Sequence, residues 1–287
     1  MLALRRHVRL VLMLAAALTA AAPAAVRAQG KLDARYSATL AGIPIGKGSW
    51  VIDITDTQYM AAANGGTTGL MRAFTGGQGT SAAHGTLQAG RPMSSIFAST
   101  IAASHKTDDV HLTVANGIVT ESRLDPPLET EPDRVPITDE NRKGILDPMT
   151  ASLIRTPGTG NPLSPEACQR TVAIFDGRLR YDLQLAFKRM DHVKADKGYA
   201  GPVVVCAVYF LPIAGYLPSR AAIRYISKQR DIEVWLAPIA GTRVLVPFRA
   251  QGPTPIGEAV MVATQFVTAA TAPANPAAAS ANGRKNP

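Results

Sequence analysis

From residue 32 onward, apolar and polar residues alternate with a period of two, and this pattern restricts the fold more than any other feature. Along an extended chain Leu32, Ala34, Tyr36, Ala38 and Leu40 face one way, while Asp33, Arg35, Ser37 and Thr39 face the other. Trp50, Ile52 and Ile54 oppose Lys47, Ser49, Asp53 and Thr55 in the next segment, and the Gly42-Ile43-Pro44 step between them is turn chemistry. The chain therefore opens with a hairpin.

Two further hairpins are marked by their turns. Asn116-Gly117 joins Val110–Ala115 to Ile118–Leu124, and Asp176-Gly177 joins Val172–Phe175 to Arg178–Lys188, since both dipeptides accept positive φ. After the second turn Leu179, Tyr181, Leu183, Leu185 and Phe187 form an apolar face opposite Arg178, Arg180, Asp182, Gln184 and Lys188, as in a half-solvated antiparallel sheet. Val203–Leu211 is apolar at both parities and predicts a central strand, followed by 232–237, 242–250 and 259–267. About eleven strands are expected by this periodicity. Helices are few. Asp147 caps a segment from Pro148 to Arg155, Ser164-Pro165 starts one turn that presents Cys168, and Ser219 caps Arg220 to Gln229. Residues 125–165, rich in proline and acids, link the two halves of one domain, because either half alone would be a small sheet with exposed edges. The expected fold is all-β, an antiparallel meander forming an open or closed lipocalin-like barrel with a few short helices.

The N-terminus has the grammar of export. Arg5, Arg6 and Arg9 precede the uncharged run Leu10 to Ala22, and Val26-Arg27-Ala28 suits a peptidase, so residues 1–28 read as a signal peptide and the product as periplasmic. The run is too short to cross a bilayer and no later one is longer, so no transmembrane segment is expected in the mature chain. No cysteine stands at the cleavage point, which excludes a lipid anchor. Residues 29–268 then form one β-rich domain. Residues 269–287, with eight alanines and three prolines, form a tail expected to be disordered. Hydrophobic residues at 46% and charged residues at 18% exclude a disordered chain. Of the formal charge of +9, four units belong to Arg5, Arg6, Arg9 and Arg27, which leaves +5 after cleavage and argues against nucleic acid as a partner.

Two cysteines in an oxidising compartment most simply pair, and Cys168 with Cys206 would close a loop of about 38 residues. The rival reading is a nucleophilic cysteine beside His192, although neither cysteine lies in a Cys-x-x-Cys context. The runs Cys168 to Asp182, Gly198 to Cys206 and Val234 to Phe248, with Tyr36, Gly42-Ile-Pro-Ile-Gly46 and Asp147-Pro148-Met149, resemble the alphaproteobacterial type of the bacterial exported family filed as domain of unknown function 3108. The resemblance covers about residues 31 to 268. It implies a mostly β protein of the cell envelope with no catalytic residue set, and its paired cysteines favour the disulfide.

Candidate chemistry is sparse. His105, Asp108, Asp109 and His111 could hold a divalent metal around a hairpin tip, or simply be a polar tip; His84 and His192 stand alone. Gly42 to Ser49 has three residues between its glycines where a phosphate loop needs four, and a strand follows it, so it is not one. Gly65 to Gly79 reads as a mobile loop in which Leu70, Met71 and Phe74 form a candidate ligand flap, or else plug the core. Arg220, Arg224 and Lys228 make a basic stripe suited to an anionic head group, a partner or solvent. No catalytic residue, cofactor or metal is assigned. The leading expectation is a non-enzymatic periplasmic protein that binds a lipid or other amphiphile of the envelope. The alternatives are a scaffold that binds an envelope protein, and a metal-dependent hydrolase.

Overall fold

Extended segments with one apolar face pair until that face is covered, and here the pairing runs through both halves of the chain. The computed structural model describes residues 29–69, 76–104 and 106–271. The first half supplies β1 (Gly30–Leu40), β2 (Ile43–Ile54), β3 (Gln58–Thr67), β4 (Gln78–Gln88), β5 (Arg91–Ala103), β6 (Lys106–Ala115) and β7 (Ile118–Asp125). After a long connection come β8 (Ile154–Arg155), β9 (Arg170–Phe175), β10 (Arg180–Lys194), β11 (Lys197–Gly198) and β12 (Ala200–Ala214), then β13 (Glu233–Pro238), β14 (Val244–Thr254) and β15 (Gly257–Ala270). They form one sheet of order β7-β6-β5-β4-β3-β2-β1-β15-β14-β13-β12-β10-β9, with β11 beside β15 and β8 beside β14. All named strand pairs are antiparallel except the short β11–β15 contact.

The fold class is as expected, and the sheet is open, with β7 and β9 as its edges. A strap from the mid-chain connection spans the gap between them. Lys143 bridges to Ile118 and Leu146 to Ile174, supported by Ile145 N–H to Gly117 O at 3.2 Å and Leu146 N–H to Ala173 O at 2.9 Å. Farther along the gap Arg178 forks onto Asp108 Oδ1, Nη2 at 2.6 Å and Nε at 3.0 Å, and also donates to Pro126 O.

Register explains the core. Leu32, Ile52 and Ala61 lie in one cross-strand row, and Ala34, Trp50 and Ala63 in the next, so their side chains share one face. All but the half-buried Ala63, which packs against it, belong to a large buried cluster that also takes Phe175, Val203, Val205, Trp235, Phe248 and Phe266. The rings of Tyr199, Phe248 and Phe266 pack with centroids 5.4 to 6.5 Å apart. β12 is buried on both sides from Val203 to Ala207, as its doubled apolar pattern predicts, but not to the end of that run, where Leu211 is 41% exposed. Val203 and Val205 join the large cluster, while Val204 and Cys206 join a second one with Ile154, Ala167, Cys168, Leu236 and Leu245. The segment covering that second cluster is held by the Cys168–Cys206 disulfide and by Arg243, which donates to the carbonyls of Thr156, Pro157 and Gly160.

Several local expectations need correction. The described residues form fifteen strands against the expectation of about eleven. Asp147 does cap a helix with Pro148 at its first position, but α1 covers only Pro148–Ala151, because Ile154–Arg155 pairs with β14 as β8. The second helix, α2, spans Ala221–Ile226; Arg220 holds the capping position in extended backbone and no Ser219 side chain caps it. The Asp176-Gly177 turn is wider than two residues, since Asp176 Oδ1 accepts from the N–H groups of Arg178 and Leu179 and β10 starts at Arg180. Phe187 is 39% exposed, so the apolar face of β10 does not continue to its far end. β15 extends to Ala270, past the boundary placed at residue 268.

Candidate functional site

The core face loses side-chain volume toward the turn between β1 and β2. Beyond the row Ala34–Trp50–Ala63–Ser81, the next row is Tyr36–Gly48–Gly65–Gly79, and the one after it contains Ala38 and Gly46. Three adjacent strands thus present glycine where the preceding rows present isoleucine, tryptophan, alanine and serine. A Cβ added at Gly46, Gly48, Gly65 or Gly79 would meet only atoms of adjoining strands. A recess of about 440 Å3 remains, lined by Tyr36, Ala38, Gly48, Trp50, Ala63 and Met261 and closed in part by Ser152 and Pro247.

Ala38 and Met261 also line a larger groove of about 790 Å3, roofed by α2. Ala221, Ala222, Tyr225 and Ile226 stand on one side, and Ala250, Gly252, Pro253 and Ala259 on the other. The groove carries no charged residue. Two apolar hairpin tips flank it: Ile43, which follows the β1–β2 turn, is 64% exposed, and Ile256, between β14 and β15, is 72% exposed. Volume and composition together fit a hydrocarbon chain or a comparable apolar body.

Two polar groups lie at the junction with the core. Trp50 is 9% exposed, yet its indole Nε1–H has no hydrogen-bond partner. An indole N–H donates but cannot accept, so the missing partner is an acceptor such as a carbonyl, ester or hydroxyl oxygen. Tyr36 donates to Pro247 O at 2.8 Å, and burial pushes its phenol far above the ordinary range, which keeps it neutral. Lys47, Ser49 and Asn64 stand around the recess and supply polar rim groups. The arrangement is amphiphilic, with an apolar groove that adjoins a recess lined by Trp50 and rimmed by polar groups.

A second buried polar cluster is fully satisfied. Asp147 and Thr150 are completely buried. Asp147 Oδ1 accepts from Met149 N–H and Thr150 N–H at 2.9 Å, while Oδ2 accepts from Ser94 Oγ at 2.6 Å and from Thr150 Oγ1. Because the Thr150 hydroxyl is spent on the carboxylate, Tyr59 OH donates to Thr150 Oγ1. Burial, reinforced by the Asp147 charge, raises the Tyr59 phenol. With every partner occupied, this cluster holds α1 in place and offers no open position for a substrate.

The sequence-derived candidates separate in space. Asp108 turns to Arg178, while Asp109, the next residue and so on the other face, accepts from Thr100 Oγ1 at 2.5 Å. His111 is exposed at the same parity as Asp109. His105 lies outside the described residues, and among the described residues no three His, Cys, Asp or Glu groups gather to hold a metal. Cys168 and Cys206 are bonded to each other, so neither is available as a nucleophile, and His192 is exposed. Leu70, Met71 and Phe74 lie outside the described residues. Gly65 and Gly66 belong to β3 and Gly79 to β4, so part of the expected loop is strand. Arg224 of the basic stripe donates to Pro218 O and Ser219 O, near its own helix start. Sequence reasoning missed Trp50 as a donor; its parity with Gly46 and Gly48 was the available signal.

A family model described as "Protein of unknown function (DUF3108)" matches residues 35–264. Among solved structures, the "Crystal Structure of Beta-barrel-like Protein of Domain of Unknown Function DUF1849 from Brucella abortus" is similar at a TM-score of 0.46 and 12% identity, over 85% of this chain and 100% of that one. No curated protein matches.

Proposed function

Because the chain belongs to the DUF3108 family of proteins of unknown function, we propose that it acts as a non-enzymatic, exported binder of an amphiphilic component of the cell envelope. The ligand's apolar part occupies the groove under α2, and its first polar atom accepts a hydrogen bond from Trp50 Nε1. The single observation that carries this reading is the unpartnered indole N–H beside the glycine-lined recess. A buried donor left without an acceptor costs roughly 1 to 3 kcal/mol, and a ligand oxygen recovers that cost. The lack of charge in the groove favours hydrocarbon over a polar substrate. The signal-like residues 1–28 and the Cys168–Cys206 bond support export to the periplasm.

The test is an equilibrium titration of the purified protein with palmitate. Saturable binding at one equivalent is expected. Ala38 lines both cavities, so Ala38→Leu should weaken binding at least tenfold with the fold retained by circular dichroism. Trp50→Phe should weaken it by a smaller factor, on the order of five- to tenfold, as befits one hydrogen bond. Equal affinity in wild type and Ala38→Leu would refute the assignment of the groove.

A further inference from the structure

At the end of the β4–β5 hairpin away from the recess, a cleft of about 530 Å3 opens between the start of β5, the strap and the start of β9. Three arginines line it, Arg91, Arg155 and Arg170, and no aspartate or glutamate does. Their convergence is geometric. Arg155 lies over the Ala89-Gly90 turn that leads into Arg91: a Cβ on Gly90 would stand 2.7 Å from Arg155 Nε and 3.3 Å from its Nη2. Arg170 Nη2 reaches back to Arg155 O at 2.9 Å and to Glu166 O at 3.4 Å, while its Nε is buried without a partner. Arg170 is two residues from Cys168, so the disulfide fixes its backbone. Among the described residues none of the three forms an ion pair.

Like charges gathered in a half-enclosed cleft without a counterion repel one another, and the partial burial of Arg155 and Arg170 weakens the screening by water. Burial and the nearby Arg91 charge both lower the Arg170 pKa, which reports this closeness, although the guanidinium remains charged at neutral pH. One carboxylate is matched by one guanidinium fork, whereas a phosphomonoester offers about two charges and three terminal oxygens to several forks. The cleft is also much larger than an inorganic anion and has apolar walls at Met93, Leu153, Pro157 and Val172. We infer that this cleft binds a phosphate monoester carried on an organic group, with Arg91, Arg155 and Arg170 as its ligands. The site is independent of the apolar groove.

Two sources share this chemistry, a soluble phosphate ester and a phosphorylated lipid head group. The purified protein is titrated calorimetrically with glycerol 3-phosphate at low ionic strength, and in parallel sedimented with vesicles of phosphatidic acid or of phosphatidylcholine alone. Saturable binding of glycerol 3-phosphate identifies the soluble source, and cosedimentation with phosphatidic acid but not phosphatidylcholine identifies the lipid; either supports the site. Among the described residues the Arg91 and Arg155 side chains make no hydrogen bond or ion pair, so the doubly substituted Arg91→Gln, Arg155→Gln protein should fold and lose at least tenfold in affinity. Arg123→Gln, at an exposed position on β7, should bind as wild type. Absence of binding in both arms, or equal loss in the Arg123→Gln control, would overturn the inference.

Discussion

Asp147 accepts from four donors at once: two helix N–H groups and the hydroxyls of Ser94 and Thr150. Because it is completely buried, deleting its carboxylate leaves those donors without water to replace it. Asp147→Ala is expected to cost about 3 kcal/mol, read as a lower urea midpoint, with Asp147→Asn in between; a change below about 0.5 kcal/mol would contradict the role given to this network. Glu233 sits in another charged cluster, where Arg189 grips it at 2.9 and 3.2 Å and Lys188 also reaches it. The hydrogen bond from Arg189 is the main reason its carboxyl lies below the ordinary glutamate range. A carboxyl lowered in the folded state adds stability above its unfolded pKa of about 4.3, and that contribution disappears as pH falls through the folded value. Urea midpoints between pH 7 and pH 3 should therefore fall more for the wild type than for Glu233→Gln. Parallel curves would show that the ion pair is not formed.

Among the elements, those with a strong local signal were legible and those made of small residues were not. Asn116-Gly117 adopts the two positive φ values of a type I′ turn, 52° and 75°, as its chemistry requires. Ala41-Gly42 does the same at 49° and 80°, but alanine is no signal for positive φ, so the sequence marks this turn one residue late, at Gly42-Ile43-Pro44. β3 and β4 alternate alanine, glycine, serine and asparagine, where the contrast between faces is too weak to mark a strand. The groove was invisible for a different reason: β1, β2, β14, β15 and α2 each contribute between one and five residues, and only the cross-strand register brings the strand residues together. The pairing of Cys168 with Cys206 was legible from the count of two cysteines together with the signal-like reading of residues 1–28. It attaches the segment before β9 to β12, and the chain-entropy relation for a separation of 38 gives about 4 kcal/mol. Replacing both cysteines by serine should lower stability by about 2 to 4 kcal/mol, measured by chemical denaturation; an unchanged midpoint would mean that packing alone holds the segment.

At the scale of the molecule, one long sheet curls until the mid-chain strap and the Arg178–Asp108 pair bridge its open edges. The face filled by Ile52, Ile54 and Tyr59 gives way, along β2 and β3, to glycine and alanine, so a filled core and the glycine-lined recess share one face. A protein shaped only to hold a partner through its surface has no need of that second region, whereas a carrier of amphiphiles does. The most direct measurement is native mass spectrometry of the protein purified without detergent, before and after addition of palmitate, with a denaturing spectrum of the same sample. The account predicts a mass added in a one-to-one ratio that vanishes on denaturation, and a denaturing mass two hydrogens below that of the reduced chain. An apo mass that palmitate leaves unchanged would contradict it.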